Sequence, residues 1–226
     1  MKQKKARPFA SVRKPAEKYY PVFLDLRDKK IIVVGGGKVA ERKVCSLLKA
    51  GASVTVISPS ITGRLRKEIG RGRVTHISRA YRKGDLKGAF LVVSATDSCL
   101  LNERVFREAP CPVNVVDTPH RCSFIVPSVV YRDPLTIAIS TSGVSPAFAK
   151  TIRKDLERLF GPGFSRYLKS VRKLRAAAMS GIAEHGKREE FLKAIASEKI
   201  LGILREEGHR AAMDVAETLF RRAKQT

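Results

Sequence analysis

The 226 residues contain no tryptophan, and aromatic side chains make up only 7% of them. Proteins that hold single-stranded nucleic acid interleave basic groups with exposed aromatic platforms. The scarcity therefore argues against a nucleic-acid partner. No stretch approaches the roughly 18 consecutive apolar residues of a membrane-crossing helix, so no membrane partner is expected. The segment Met1–Lys18 carries seven basic residues and one acid. No apolar stretch follows it, so it does not read as a secretory leader, and it is expected to be a basic, disordered tail on a cytoplasmic protein. Cysteine is sparse: Cys45, Cys99, Cys111 and Cys122. No two are spaced C-x-x-C, which argues against a zinc ribbon or a dithiol redox pair. Free, mostly buried thiols are expected in a reducing compartment.

Acids are the other shortage. Twenty-one acidic residues stand against 45 basic ones, a formal charge of +24. Such a field draws in polyanions. A small molecule with many carboxylates satisfies it as well as a nucleic acid does, so charge alone does not choose. Residues 150–175 add a second basic cluster, nine cations against two acids, within predicted helices.

The hydrophobic fraction of 43% is enough for a genuine core. Its arrangement alternates. Ile31–Val34 is a continuous, β-branched run, as expected of a strand buried on both faces. Gly35 to Gly37 follow. Lys38–Ala50 reads as a helix with Val39, Ala40, Val44, Leu47 and Leu48 in one stripe and Gly51 as its stop. Ser53–Ile57 is the next strand, completing a βαβ unit. Helix Ser60–Gly70, strands Arg73–Ser78 and Ala89–Ser94, helix Ser98–Ala109 and strand Cys111–Val116 continue the pattern. The fold class is therefore α/β, a Rossmann-type doubly wound parallel sheet. Tyr20–Leu26 reads as a short entry strand. After Asp117 the pattern changes: Ser123–Val130 and Leu135–Ser140 read as a hairpin turned at Tyr131–Pro134. Ser145 and Pro146 then cap a helix, and the rest is helical. The expected divisions are a tail at 1–18, a Rossmann domain at 19–126, a small β dimerisation region at 127–159 and a C-terminal helical domain at 160–226.

Gly35-Gly36-Gly37-Lys38-Val39-Ala40 fits G-x-G-x-x-A in the context that gives the pattern meaning, after a strand and opening a helix. Gly35 permits the tight turn, Gly37 lets a pyrophosphate approach the backbone, and Ala40 lets helix and strand pack closely. The N–H groups of Lys38 and Val39 and the helix dipole favour an anion. The second strand ends in Ser58-Pro59-Ser60, where an acid about 20 residues on normally binds the ribose. Arg64 and Arg66 nearby leave NADP open beside NAD. Thr96, after the fourth strand, is placed to contact the second ribose or to cap the next helix.

Six segments in order resemble the siroheme synthase family, which comprises precorrin-2 dehydrogenase and often also sirohydrochlorin ferrochelatase. They are Tyr20–Leu26, Val33–Lys43, Ser94–Asp97, Asn114–Asp117, Ser123–Pro127 and Ile139–Pro146. The resemblance implies NAD-dependent dehydrogenation of precorrin-2, a tetrapyrrole with eight carboxylates, to sirohydrochlorin. In some members ferrous iron, as a second substrate, is then inserted. It implies a homodimer with the active site between domains, and a form without the methyltransferase domain, that reaction falling to a separate protein upstream. It assigns Asp117 the proton transfers. Asp117 lies at the C-terminal end of a strand, where such sheets place their chemistry; capping of the turn at Thr118–Pro119 is the plainer reading of the same residue. Ser140, Thr141, Ser142 and Ser145 crowd a turn before a helix and are candidates for substrate carboxylates. His120 and Cys122, with Asp117, are a speculative resting place for a divalent metal. The competing reading is an NAD-sensing module without catalysis.

Overall fold

The computed structural model describes residues 19–225. The expected tail at 1–18 lies outside them. The described chain divides between Val126 and Pro127 into two compact units.

The first unit is a parallel sheet of β1 (Lys30–Val34), β2 (Ser53–Ile57), β3 (Val74–Ile77), β4 (Leu91–Ser94) and β5 (Val113–Val115), in the order β3-β2-β1-β4-β5. Helices α1 (Lys38–Lys49), α2 (Gly63–Gly70) and α3 (Cys99–Glu108) connect the strands. Both faces of the sheet are covered, which is why its strands read as unbroken apolar runs. Ile32 and Val34 face a cluster with Val92, Phe106 and Val113, while Ile31 and Val33 face one with Ala40, Val44, Val54 and Leu65. Each fully buried Val or Ile contributes about 1.5–3 kcal/mol. Gly51, at φ 79°, follows the C-cap Ala50 and ends α1, as its position in the sequence requires.

Three expectations need correction. Tyr20–Leu26 forms no strand. Both sides of β1 are taken, by β2 and β4, and Tyr20, Val22, Phe23 and Leu24 stay exposed. Helix α2 begins at Gly63 rather than Ser60, because Thr62 is its N-cap and accepts from the Leu65 N–H at 3.3 Å. The hairpin is β6 (Ser128–Arg132) paired with β7 (Leu135–Ile139), turning at Asp133–Pro134. The residues before β6 belong to the first unit: the Ser123 N–H and hydroxyl both donate to the Val113 carbonyl, at 2.9 and 3.1 Å.

The second unit joins this hairpin to α4 (Pro146–Leu159), α5 (Pro162–Gly181), α6 (His185–Ala194), α7 (Glu198–Glu206) and α8 (His209–Gln225). Phe164, Tyr167, Phe191, Ile200, Ala212 and Ala216 form its core. The predicted stripes on α5 and α8 are the buried ones, with Val171, Leu174, Val215 and Leu219 packed against that core. Among the described residues no helix is long and apolar enough to cross a membrane.

Candidate functional site

The strand order reverses direction between β1 and β4, and a crevice opens there beyond the carboxyl ends of the strands. Its cavity, of about 430 Å³, is lined by Gly35, Gly36, Gly37, Lys38, Val39, Ser58, Pro59, Ser60, Thr96 and Asp97, and by Ala80, Tyr81 and Leu101. All nine cofactor residues expected from the sequence line this one cleft.

The three glycines serve different ends. Gly35 takes φ 116°, and a Cβ there would stand 2.1 Å from the Ala95 carbonyl oxygen. A Cβ on Gly36 would meet the Ser60 carbonyl oxygen at 2.0 Å. Both are held glycine by packing. Gly37 is different: nothing lies within 4 Å of where its Cβ would be. It is the N-cap of α1 and supplies no side-chain cap, so the first N–H groups of the helix open into the cleft with no partner of their own. That is a cradle for a phosphate, and it is what a dinucleotide's pyrophosphate needs. Ala40 is fully buried beneath it.

The loop after β2 is preset. The Ser58 hydroxyl donates to the Ser60 carbonyl at 2.7 Å, and the Ser58 carbonyl meets His76 Nε2 at 2.9 Å. Ser58 therefore shapes this wall of the cleft with its proton already committed. Arg64 does not line the cleft; it borders a separate depression with Cys45, Lys49, Glu68 and Arg73. Thr96 donates to Asn102 Oδ1 at 2.8 Å and accepts weakly from the Ser98 N–H. The cap of α3 is Ser98 itself. Ser94 donates to the same Asn102 oxygen, and Asn102 Nδ2 returns a bond to the Thr96 carbonyl at 2.9 Å.

The ladder of β5 continues one residue past the strand, with the Val116 N–H donating to the Ser94 carbonyl. Asp117 follows at φ 57°, a left-handed conformation uncommon outside glycine. It is exposed and sits one strand over from Thr96 on the same edge of the sheet. Its carboxylate makes no hydrogen bond or ion pair among the described residues.

His120 and Cys122 do not join it as metal ligands. Among the described residues no group of three or more His, Cys, Asp or Glu could hold a metal ion. The Cys122 sulfur is turned inward: it donates to the Val115 carbonyl at 3.1 Å and accepts from the Val115 N–H at 3.3 Å. Burial pushes its thiol pKa up. His120 lies exposed on a 3₁₀ turn at Pro119–Arg121.

In the second unit the four hydroxyl residues gather at one turn. Ser140 accepts from the Ser142 N–H, Thr141 from the Ser145 N–H, and Ser145 caps α4 through the Phe148 N–H. Ser142 and Gly143 both take positive φ.

Residues 22–128 match the "NAD(P)-binding" family model, and residues 132–159 match the model described as "Sirohaem biosynthesis protein central". A siroheme synthase of Methylobacillus flagellatus is 40% identical over 200 residues, 85% of this chain and 43% of that protein. The chain belongs to the siroheme synthase family. Siroheme synthase 1 of Aeromonas salmonicida is 37% identical over 206 residues, 89% of this chain and 44% of its own length. The chain thus spans less than half the length of these curated relatives. A solved structure titled SirC, precorrin-2 dehydrogenase, is similar over 88% of this chain and 100% of that one, with a TM-score of 0.76 and 26% identity.

Sequence reasoning had assigned no individual role to three residues within the first matched segment. Asn102 is buried and organises the end of β4. Asn114 is buried in β5 and donates to the Phe124 carbonyl at 3.0 Å, pinning the segment beneath Asp117. Lys43 is half-buried on α1. The first two could have been suspected as polar residues within apolar runs, since buried amides are kept where they satisfy backbone groups.

Proposed function

We propose that this chain is a precorrin-2 dehydrogenase, oxidising precorrin-2 to sirohydrochlorin with NAD as the acceptor. The observation that carries the reading is the open Gly37 cradle after β1, two strands over from the unpaired carboxylate of Asp117 after β5, on one edge of one sheet. The relatives named siroheme synthase and the likeness to the precorrin-2 dehydrogenase support the substrate.

NAD, when bound, supplies the acceptor for a hydride. The chain's own residues do the rest. The N–H groups of Lys38 and Val39 hold the pyrophosphate, and Ser58, Pro59 and Ser60 wall the adenosine side. Thr96, fixed by Asn102, borders the other end. The substrate loses one hydride and one proton, the hydride to NAD and the proton to a base. Asp117 is that base: it is exposed, and among the described residues its carboxylate is committed to no other partner. NAD rather than NADP is the reading we favour, because Arg64 borders a different depression and, among the described residues, no arginine is in the lining of the cleft. The +24 charge suits a substrate with eight carboxylates.

The reading extends to three further points. Val129, Tyr131, Val144, Phe148 and Leu159 leave large apolar surfaces exposed on the hairpin, the turn after it and α4, which supports a homodimer through the 127–159 region. Four unpaired thiols suit the cytoplasm. A methyltransferase supplies the methylated substrate. Iron insertion into the product needs two pyrrole protons removed, and Asp117 is the group available for them.

Anaerobic incubation with precorrin-2 tests the proposal, following sirohydrochlorin absorbance with NAD and, separately, with NADP. Faster formation with NAD is expected. Absence of turnover with either would overturn the dehydrogenase and favour a sensing module.

A further inference from the structure

Lys43 stands in the middle of α1, five residues beyond Lys38. At 100° per residue the two side chains lie about 140° apart around the helix, so they serve different neighbours. Lys38 lines the cofactor cleft and Lys43 does not. What Lys43 meets is fixed by packing. Val116 and Phe124 pack on the cluster that contains Ala40 and Val44, which brings the segment after β5 against this side of α1. The ammonium is half-buried and within electrostatic reach of Asp117 and Cys122.

Yet it makes no hydrogen bond or ion pair among the described residues. The Cys122 sulfur is already bonded to the Val115 backbone, and Asp117 is near enough to attract the ammonium without touching it. Burial, with the charge of Arg42 added, lowers the Lys43 pKa against the opposing pull of Cys122 and Asp117. A cation that loses hydration without gaining an acceptor is held at a cost, and buried charges are ordinarily paired. An anion delivered by a ligand would supply the missing partner.

We propose that Lys43 anchors one carboxylate of the tetrapyrrole substrate and so sets the ring edge against Asp117. The inference rests on the dehydrogenase reading, which brings a polycarboxylate to this edge of the sheet. The phosphates of the cofactor are not the partner, since they belong to the Gly37 cradle on another face of α1.

The test uses the full chain and uroporphyrin, an octacarboxylate porphyrin, as the binding probe, beside NAD titration and precorrin-2 turnover. Lys43→Met is expected to weaken uroporphyrin binding about tenfold, the value of one charge-assisted contact, and to raise the KM for precorrin-2 similarly. The Kd for NAD should stay within twofold, which also reports that the first unit is folded. Lys43→Arg should recover most of the affinity. Unchanged probe binding and KM in Lys43→Met would overturn the anchor while leaving the dehydrogenase standing. A native chain that neither binds the probe nor turns over precorrin-2 would overturn the dehydrogenase reading, and the anchor with it. Parallel loss of NAD binding in Lys43→Met, not recovered in Lys43→Arg, would assign Lys43 to the fold and overturn the anchor.

Discussion

Thr62 donates its hydroxyl proton to Glu41 Oε2 at 2.5 Å, across 21 positions of sequence. The same oxygen caps α2, and the Thr62 N–H donates to the Gly36 carbonyl at 3.1 Å. One residue thus clamps the glycine loop, the loop after β2 and the first turn of α1. Thr62→Val keeps the shape and removes the hydroxyl. It is expected to weaken NAD binding three- to tenfold and to lower stability by about 1 kcal/mol, the usual cost of a lost cap. Thr62→Ser should restore both. NAD titration and a melting curve on each variant check this.

Gly35 and Gly37 are predicted to fail in opposite ways. Gly35→Ala forces a Cβ toward the Ala95 carbonyl at a φ that L-residues avoid, and should cost about 3 kcal/mol or more. Gly37→Ala meets open space. It should melt like the native chain yet lose at least tenfold in NAD affinity, because its methyl fills the phosphate cradle. Equal stability of the two variants would contradict this division.

The inward sulfur of Cys122 and the exposed ring of His120 give another contrast. Cys122→Ala leaves the Val115 N–H short of its partner, while the Val115 carbonyl keeps the Thr118 N–H, and should destabilise by about 1–2 kcal/mol. His120→Ala should leave stability, NAD-dependent turnover and the response to added ferrous iron unchanged. A selective loss of metal insertion in His120→Ala would revive the metal site that the geometry argues against.

The pair Arg79–Asp85 carries an acid-dependent contribution. Arg79 donates to both oxygens of Asp85 at 2.7 Å, and the Arg82 N–H adds a third bond. The hydrogen bond from Arg79 and that from the Arg82 backbone hold the Asp85 carboxyl below its usual range. A folded pKa lower than the unfolded one means stability present above the unfolded value, near 3.8, and lost as pH falls through the folded one. Asp85→Asn should therefore melt earlier at pH 7, and the gap to the native chain should close below about pH 4. Melting curves across that range decide it.

Much of this was legible in the residues themselves. Unbroken β-branched runs announced a sheet covered on both faces, and the glycine triplet after the first of them located the cleft. Other features depended on tertiary partners that local patterns do not encode. Tyr20–Leu26 has a strand's composition but no free neighbour beside β1. Ser58 lines the cleft where the sequence suggested a ribose contact, but its proton is spent on Ser60. The Asp-His-Cys spacing suggested a metal site, but it does not report which way a side chain turns, and the Cys122 sulfur turns inward to the backbone of Val115. Lys43 looked like one charge among 45 cations, and only the packing of Val116 and Phe124 on α1 marks it out.

In the proposed reaction a hydride passes to NAD while Asp117 takes the accompanying proton. A single-turnover experiment with the native chain and Asp117→Asn tests it most directly, counting NADH formed per sirohydrochlorin under anaerobic conditions. One NADH per sirohydrochlorin is expected for the native chain. For the variant the expected rate is at least about 100-fold slower, in line with loss of a general base, with NAD affinity unchanged. Sirohydrochlorin formed without NADH, or a variant as fast as the native chain, would contradict it.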